Sequence, residues 1–249
     1  MREKDRCPFL FPEELSGSML VISFKACTTY GMEWGTILHT YWWQMLLVVC
    51  ISYFVGNICG AVIVSKRFIR KDIRGLGSKN AGTTNMTRVF GIKYGIVTFL
   101  IDFLKALLCV LTCCLAMTLV GGADVGVLAS YLAGTAVILG HNYPLLLSFK
   151  GGKGFASGIG VFMALTPLST LIILLGGIVL LLIVDRMSVF ALTFFVVEAL
   201  YYWLTVLEGH WWIPMFATVY LLLAVIAHWS NLVRLVHGEE KPLGLIRRM

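Results

Sequence analysis

Charged side chains are scarce in this sequence, and their scarcity limits the classes of protein it can encode. Only 13% of its 249 residues are charged, 59% are hydrophobic, and the mean hydropathy is +0.87. Soluble domains carry about 25% charged residues, so a water-soluble fold is excluded. The apolar runs are continuous and do not alternate with polar residues, which excludes a transmembrane β-barrel. The sequence therefore predicts an all-α, polytopic integral membrane helix bundle.

The sequence also lacks the patterns of several other classes. Its seven cysteines show no spacing typical of a zinc site or a disulfide framework, so we expect no metal and no cofactor. The net charge of +7 does not indicate a nucleic-acid partner, because the basic residues lie in short loops between apolar runs. No cleavable signal peptide is recognisable, since the longest early apolar stretch, Met19–Phe24, is too short. We interpret residues 1–43 as an amphipathic or loosely ordered N-terminal extension and residues 44–249 as a transmembrane domain.

Continuous apolar runs predict about seven membrane-spanning helices. Most approach the ~20 residues that are needed to cross the hydrocarbon core. The fourth run is short and ends at Thr166-Pro167, which is tolerable only where protein or a water-filled cavity surrounds it. The predicted spans are Tyr41–Val64, Ile92–Val120, Val125–Leu147, Ala156–Leu165, Leu168–Val184, Val189–Leu207 and Trp211–Ala227.

The loop charges predict the orientation of these spans. Lysine and arginine occur in the connections after the first, third, fifth and seventh spans, whereas residues 121–124, 166–167 and 208–210 contain neither. A count of seven places every basic loop on one side of the membrane. By the positive-inside rule that side is cytoplasmic. We therefore expect a multi-pass protein of the cell membrane with its N-terminus outside and its C-terminus in the cytoplasm.

The first basic loop is rich in small polar side chains. Residues 77–88 combine hydroxyl and amide groups with two glycines and one arginine. Glycine lets the backbone bend close to a ligand, and exposed backbone N–H groups suit phosphate oxygens. Arg88 is able to bind two such oxygens at once. The pattern suits a phosphate-binding loop, and a solvated loop is the other interpretation that it leaves open.

A glycine-rich loop follows the third span. After His141 and Pro144, the sequence Phe-Lys-Gly-Gly-Lys-Gly covers residues 149–154 and leads into the fourth apolar run. Close backbone donors, two lysines and a helix N-terminus are together typical of a phosphate cradle. The spacing is not that of a Walker A loop. The alternative interpretation is a flexible cytoplasmic turn.

Two other polar groups interrupt the apolar runs. Asp102 and Lys105 lie one turn apart inside the second span, where each charge costs about 2.5–3.5 kcal/mol. They either face a polar cavity or neutralise each other, or else Lys105 reaches to the interface. The last span continues into His228, Asn231 and Arg234, which share one face if the helix is continuous. That stripe indicates either a binding surface or an amphipathic helix end.

Three motifs in this order resemble the PlsY family of membrane acyltransferases, which use acyl-phosphate and glycerol 3-phosphate. The family pattern Ser-x-Asn-x-Gly-x-x-Asn-x-x-Arg is met by residues 78–88. Gly-His-x-x-Pro and Phe-Lys-Gly-Gly-Lys-Gly are met within residues 140–154, and His-x-x-Asn-x-x-Arg-Leu-x-x-Gly-x-Glu by residues 228–240. The resemblance covers about residues 45–245. It departs from the family pattern at Thr83, Ser157 and Asn57, where Ala, Thr and Ser are usual.

The resemblance implies an acyl-phosphate:glycerol-3-phosphate O-acyltransferase that makes lysophosphatidic acid and phosphate, the first acylation of phospholipid synthesis. The implied partners are the two substrates, the lipid bilayer and, by functional hand-over, the enzyme that makes acyl-phosphate. The resemblance implies catalytic roles for His228, Asn231, Ser78 and Arg88, and a structural role for Glu240. The implied substrate-binding residues are Asn80, Gly82, Asn85, Lys105, His141, Lys150, Gly151, Gly152, Lys153, Gly154, Ser157 and Arg234.

Two alternatives stay open at the level of sequence. The base that accepts the proton of the attacking hydroxyl is either His228 or the phosphate of the substrate, which is largely dianionic at neutral pH. The alternative function is a transporter or flippase for an anionic lipid or organophosphate. No internal repeat is recognisable in the two halves of the sequence, which favours the enzyme.

Overall fold

The computed structural model describes residues 34–206 and 211–243. Over these ranges the chain forms ten α-helices and no strand, which confirms the predicted all-α membrane bundle. The helices are α1 Trp34–Gly56, α2 Gly60–Val64, α3 Thr83–Phe90, α4 Ile92–Gly121, α5 Ala123–Asn142, α6 Phe155–Leu165, α7 Pro167–Val184, α8 Met187–Thr205, α9 Trp212–Ala227 and α10 Trp229–Val236.

The prediction of about seven spans is approximate, because five or six stretches of the described residues are long and apolar enough to cross a membrane. Five stretches within the described residues are long and apolar enough to cross a membrane, and the bent pair α9–α10 gives a sixth if it forms one span. The long stretches are Trp34–Ile69, Ile92–Gly121, Ala123–Leu147, Pro167–Val184 and Met187–Thr205. A seventh span would have to be α6, which is a shorter apolar helix.

Helix α6 is short because it lies inside the bundle. Its 11 residues make it about 16 Å long, roughly half the thickness of the hydrocarbon core. All its residues except Phe155 and Met163 are buried, so protein and not lipid surrounds its ends. Thr166, where α6 gives way to α7, contacts Tyr202 near the end of α8 at 3.2 Å between hydroxyl oxygens. A half-length helix at membrane depth is stable in such surroundings.

Helix α5 forms the centre of the bundle and packs against α1, α4, α6 and α9. Three quarters of its length is buried, including small residues that allow close helix contacts. Gly140 of α5 lies against the backbone of Tyr53 and Gly56 in α1, so that a Cβ atom at Gly140 would collide with main-chain atoms. Small residues at helix crossings are typical of membrane bundles, in which packing and not the hydrophobic effect holds helices together.

The first predicted span, Tyr41–Val64, is broken in the structure. Helix α1 ends at Gly56 and α2 begins at Gly60, so the backbone groups at the break lose their helical partners. Lys105 donates to the carbonyl oxygen of Gly56 at 3.1 Å and to that of Ile58. Asp102 accepts from the backbone N–H of Gly60 at 3.1 Å. The two charged residues of α4 therefore replace the hydrogen bonds that the break removes.

Asp102 and Lys105 also neutralise each other. Their side chains are 1% and 5% exposed, and Lys105 Nζ lies 2.8 Å from Asp102 Oδ1. Of the interpretations left open above, the structure thus shows mutual neutralisation, and it excludes a Lys105 side chain that reaches the interface. Asp102 in addition borders a cavity that is described below.

The N-terminal extension lies mostly outside the described residues. Of the predicted segment 1–43, residues 34–43 are described, and they already belong to α1. A kink at Tyr41, with φ −114° and ψ 25°, separates this first part of α1 from the rest.

We expect Lys105→Met to lower stability by about 3–5 kcal/mol, because it leaves the buried Asp102 carboxylate without its counter-ion. Thermal unfolding of the purified protein in detergent measures the effect. Lys93→Met is the matched control, since Lys93 lies on the same helix and is exposed. Equal unfolding midpoints for the two variants would contradict a stabilising role of the pair.

Candidate functional site

A polar cavity of about 600 Å³ lies at one end of the bundle. The first basic loop, the glycine-rich loop, the start of α8 and the C-terminal segment meet there, although they are far apart in sequence. The wall contains five basic residues and one acidic residue, so it attracts anions. The lining residues are Gly77, Ser78, Lys79, Asn80, Thr84, Asn85, Arg88, Lys153, Met187, Ser188, His228, Ser230, Asn231, Arg234, Glu240, Lys241 and Leu243.

A second, mostly apolar cavity of about 280 Å³ adjoins the first. Asn80, Thr84, Lys153, Met187 and His228 belong to both walls. The other lining residues come from the first two polar loops and from α4 to α8: Gly82, Thr83, Phe99, Asp102, His141, Gly154, Phe155, Ala156, Ile159, Leu174, Ile178, Phe190 and Ala191. The pair of cavities can hold an amphiphile with a charged head and a hydrocarbon chain.

The buried side chain of Asn85 stabilises the first basic loop through hydrogen bonds to its backbone. It is 1% exposed, and its Oδ1 accepts from the backbone N–H of Ser78 at 2.9 Å. Its Nδ2 donates to the carbonyl oxygens of Leu76 and Asn80, each at 3.0 Å. These bonds fix the curve of the loop, and Ser78, Asn80 and Arg88 line the polar cavity as a result.

The glycine-rich loop contributes only its last two residues to the cavities. Lys153 lines both cavities and Gly154 lines the apolar one, whereas Lys150, Gly151 and Gly152 line neither. The backbone N–H of Gly152 instead donates to the carbonyl oxygen of His141 at 3.1 Å. Side chains at positions 151 and 152 would collide with His141 and its neighbours, so glycine is needed there to pack the loop on the end of α5. Gly154 has a positive φ of 78°, which glycine adopts without strain.

Lys105 and Ser157 lie behind the cavity wall. Lys105 Nζ lies 2.9 Å from His141 Nδ1, and Ser157 donates to the backbone carbonyl of Asp102 at 3.2 Å. His141 Nδ1 also lies 3.5 Å from Asp102 Oδ1, so the His141 ring contacts both members of the ion pair. Among these predicted binding residues, His141 lines the apolar cavity, and Lys105 and Ser157 line neither cavity.

The C-terminal motif is not one continuous helix. Helices α9 and α10 meet at His228 with a bend of 64°. The condition of a continuous helix, under which these residues would share one helix face, is therefore not met, yet His228, Asn231 and Arg234 all line the polar cavity. His228 Nδ1 lies 2.9 Å from the carbonyl oxygen of Ala224, which can only accept, so Nδ1 carries the proton. The Nε2 atom is then left with a lone pair that can accept a proton.

Five side chains form a network across the polar cavity. Asn231 Oδ1 accepts a hydrogen bond from Lys153, and its Nδ2 donates to Glu240 Oε1 at 2.5 Å. Arg234 Nε donates to Glu240 Oε2 at 2.8 Å, and Ser188 Oγ donates to Oε1 at 3.1 Å. Glu240 thereby joins the C-terminal segment to the start of α8.

The network changes the pKa values of its ionisable groups. Burial lowers the pKa of the Lys153 ammonium to about 8, and the neighbouring Arg234 guanidinium adds to this effect against the opposing attraction of Glu240. Partial burial raises the pKa of the Glu240 carboxyl, but hydrogen bonds from Asn231 and Arg234 outweigh burial, and the pKa lies below its ordinary value. Lys153 is thus a cation that can lose its charge in the mildly alkaline range.

The sequence did not indicate several lining residues. Met187 and Ser188 follow Arg186 at the start of α8, where no motif marks them. The apolar lining from α4, α6, α7 and α8 has the same residue types as the surface of these helices that contacts lipid. Periodicity and composition therefore could not have separated the two sets.

The polar cavity is bordered by the loops on either side of α6 and α7 but by neither helix. The chain leaves this cavity at Lys153 and borders it again at Met187, so α6 and α7 together run away from the polar cavity and back. That path is the one expected if the loops before α6 and after α7 share one side of the membrane.

Comparison with known proteins agrees with this geometry. A family profile described as glycerol-3-phosphate acyltransferase matches residues 46–238. The chain belongs to this family. A glycerol-3-phosphate acyltransferase of Finegoldia magna is 37% identical over 203 residues, which cover 80% of this chain and 96% of the relative. Another, of Alkaliphilus metalliredigens, is 38% identical over 199 residues, with coverage of 80% and 96%.

Two solved structures are similar to this acyltransferase as well. A crystal structure of PlsY (YgiH), an integral membrane glycerol 3-phosphate acyltransferase, in its glycerol 3-phosphate form has a TM-score of 0.71 and 32% identity, covering 82% of this chain and 98% of that one. The lysophosphatidic acid form has a TM-score of 0.69 and 30% identity, covering 80% and 95%. The predicted relationship to PlsY is confirmed, and so is a multi-pass membrane protein.

Proposed function

We propose that this acyltransferase moves a fatty acyl group from acyl-phosphate to the 1-hydroxyl of glycerol 3-phosphate, and that those predicted site residues that line the two cavities act in this reaction. The observation that carries the proposal is the pair of adjoining cavities, one polar and basic, the other apolar, with Lys153 and His228 in both walls. A donor with a phosphate head and a hydrocarbon tail matches that pair of surroundings.

Two phosphate groups have to share the polar cavity in this reaction. Their mutual repulsion is offset by Arg88, Lys153 and Arg234, which line the cavity from three separate chain segments. Lys79 and Lys241 add positive charge at the same wall, and Glu240 is the one acid there. Because Arg234 and Lys153 are already held by the Glu240 and Asn231 side chains, they are positioned before substrate arrives.

The acyl chain of the donor occupies the apolar cavity. Its walls are aromatic and aliphatic side chains of four helices, including Phe99, Phe190, Leu174 and Ile178. Helix α7, which supplies Leu174 and Ile178, has only two buried residues among its 18. One helix thus separates the chain-binding space from the bilayer.

The chemistry requires no covalent enzyme intermediate, because the mixed anhydride of acyl-phosphate is already activated. The oxygen of the 1-hydroxyl bonds to the acyl carbon, the bond from that carbon to the phosphate oxygen breaks, and inorganic phosphate leaves. The hydroxyl proton goes to His228 Nε2 or to a phosphate oxygen of the substrates. Asn231 donates one N–H to Glu240, which leaves its second N–H for the developing oxyanion.

The first test is an assay of purified protein in liposomes with palmitoyl-phosphate and labelled glycerol 3-phosphate. We expect labelled lysophosphatidic acid from acyl-phosphate and none from acyl-CoA or acyl-carrier protein. Arg88→Ala and His228→Ala should each lower kcat/KM by roughly a hundredfold, because they remove charge stabilisation or the proton acceptor at the reacting groups. Arg67→Ala is the matched control, since Arg67 is an exposed arginine before the first basic loop and does not line the cavity.

Product from acyl-CoA alone would overturn the choice of donor. Unchanged turnover in both cavity variants would overturn the assignment of the site. Movement of a labelled anionic lipid across the liposome without any product would support the transporter instead.

The second test uses the lowered pKa of Lys153. Below pH about 8 the free enzyme carries the ammonium, and above it the amine is neutral and binds phosphate less well, so kcat/KM for glycerol 3-phosphate should fall as the pH rises through about 8. Lys153→Arg keeps its charge and should move this decline to higher pH, whereas Lys150→Arg, outside the cavities, should leave it in place. A decline at the same pH in Lys153→Arg would contradict the role of Lys153.

We also propose that the N-terminus is outside the cell and that the site faces the cytoplasm. Acyl-phosphate is then supplied to the site from the cytoplasm, by hand-over from the enzyme that makes it. Single cysteines at Lys150 and Lys241 should react with a membrane-impermeant maleimide only after cells are permeabilised. A cysteine at Ala123, in the turn between α4 and α5, should react in intact cells. Labelling of positions 150 and 241 from opposite sides would exclude a common site.

A further inference from the structure

Glu198 of α8 is a buried acid that the proposed reaction does not use. It is 0% exposed, and neither of its carboxyl oxygens has a hydrogen-bond partner among the described residues. Beside it lies Thr170 of α7, which is also 0% exposed and whose hydroxyl has no partner there either. Ionisable residues at membrane depth are rare and costly, and they usually serve a purpose.

The surroundings of Glu198 favour its neutral acid form. Thr170 lies beside it, Tyr202 is one turn further along α8, and no lysine or arginine of the described residues donates a hydrogen bond to its carboxyl oxygens. A carboxylate in such a place would lack both water and a counter-ion. A neutral carboxylic acid, by contrast, can donate its O–H to the Thr170 hydroxyl oxygen.

Helical register places this pair in line with the apolar cavity. On α7, Leu174 and Ile178 line the cavity, and Thr170 is one turn before Leu174 on the same stripe, about 6 Å further from the polar end. On α8, which runs in the opposite direction, Ala191 lines the cavity, and Glu198 is two turns beyond it on the same stripe, about 10 Å further on. Both walls therefore change from apolar to polar at corresponding depths.

We propose that the neutral Glu198 acid is hydrogen-bonded to Thr170 and that this pair forms the far end of the acyl-chain groove and limits the chain length that is accepted. The inference rests on the proposed function, because it needs an acyl chain in the apolar cavity. A chain that is too long would have to place its terminal methyl against a polar pair or separate the two side chains. The first event places a hydrocarbon end against polar groups. The second breaks their hydrogen bond without compensation and moves α7, which has no buried residues other than Thr170 and Leu181.

The test is the chain-length profile of kcat/KM, measured for lauroyl-, myristoyl-, palmitoyl- and stearoyl-phosphate. For wild-type protein, kcat/KM should decline steeply once the acyl chain exceeds a particular length. We compare kcat/KM for the shortest poorly used acyl chain with kcat/KM for the preferred chain. In Glu198→Leu and Thr170→Val this ratio should rise roughly fivefold, as expected for a change in one pocket contact. The KM for glycerol 3-phosphate should stay unchanged, because the pair is distant from the polar cavity.

Two further variants make the outcome specific. Glu198→Gln keeps a hydrogen-bond donor and carries no charge, so its chain-length profile should equal that of wild-type protein. Leu200→Ala, on the exposed face of α8, should have the wild-type profile as well. If Thr170→Val lowered kcat/KM equally for all chain lengths, the pair would only stabilise the fold, and the inference would be overturned. A Glu198→Gln profile equal to that of Glu198→Leu would show that the carboxylate is required and overturn the neutral form. Failure of wild-type protein to use any acyl-phosphate would instead be a failure of the proposed function.

Discussion

The buried ion pair of Asp102 and Lys105 is the interaction on which the site depends. Lys105 supports the interrupted helix between α1 and α2, and it also contacts His141 at the end of α5. The backbone carbonyl oxygen of His141 in turn accepts a hydrogen bond from the N–H of Gly152 in the glycine-rich loop. The ion pair thus connects the helix before the first polar loop to the anchor of the second. Charges that are costly in a bilayer are retained here because the break between α1 and α2 and the contact with His141 both depend on them.

The bilayer explains why the irregular parts of this chain are grouped together. Backbone outside a helix needs hydrogen-bond partners that lipid cannot supply. The break at residues 57–59 and the short helix α6 therefore occur inside the bundle, and the bend at His228 occurs where the last span reaches the polar loops. Polar side chains that satisfy these irregularities are then available next to the cavities. The fold concentrates hydrogen-bonding groups in one region, and a site for anions is found in that region.

The sequence predicted the fold class and the family, because hydropathy and three long motifs are local properties. It also predicted which loops meet, and Ser78, Arg88, Lys153 and His228 do line one cavity. It did not distinguish Lys153, which reaches the cavity, from Lys150, which does not, since that depends on how Gly152 docks on His141. The break before Gly60 was missed because its hydrogen bonds come from a helix more than forty residues away. The apolar cavity was missed because its lining consists of the same residue types that face lipid.

The common wall of the two cavities affects how the products separate. Lysophosphatidic acid made at this wall would already have its tail beside α7 and the hydrocarbon of the leaflet, so the tail need never contact water. With acyl-phosphate as the proposed donor, inorganic phosphate would form in the basic cavity and would have only the aqueous side to enter. The two products would depart into different phases, and neither would block the exit of the other. A site placed at the boundary of water and oil thus sorts its products by solubility as it forms them.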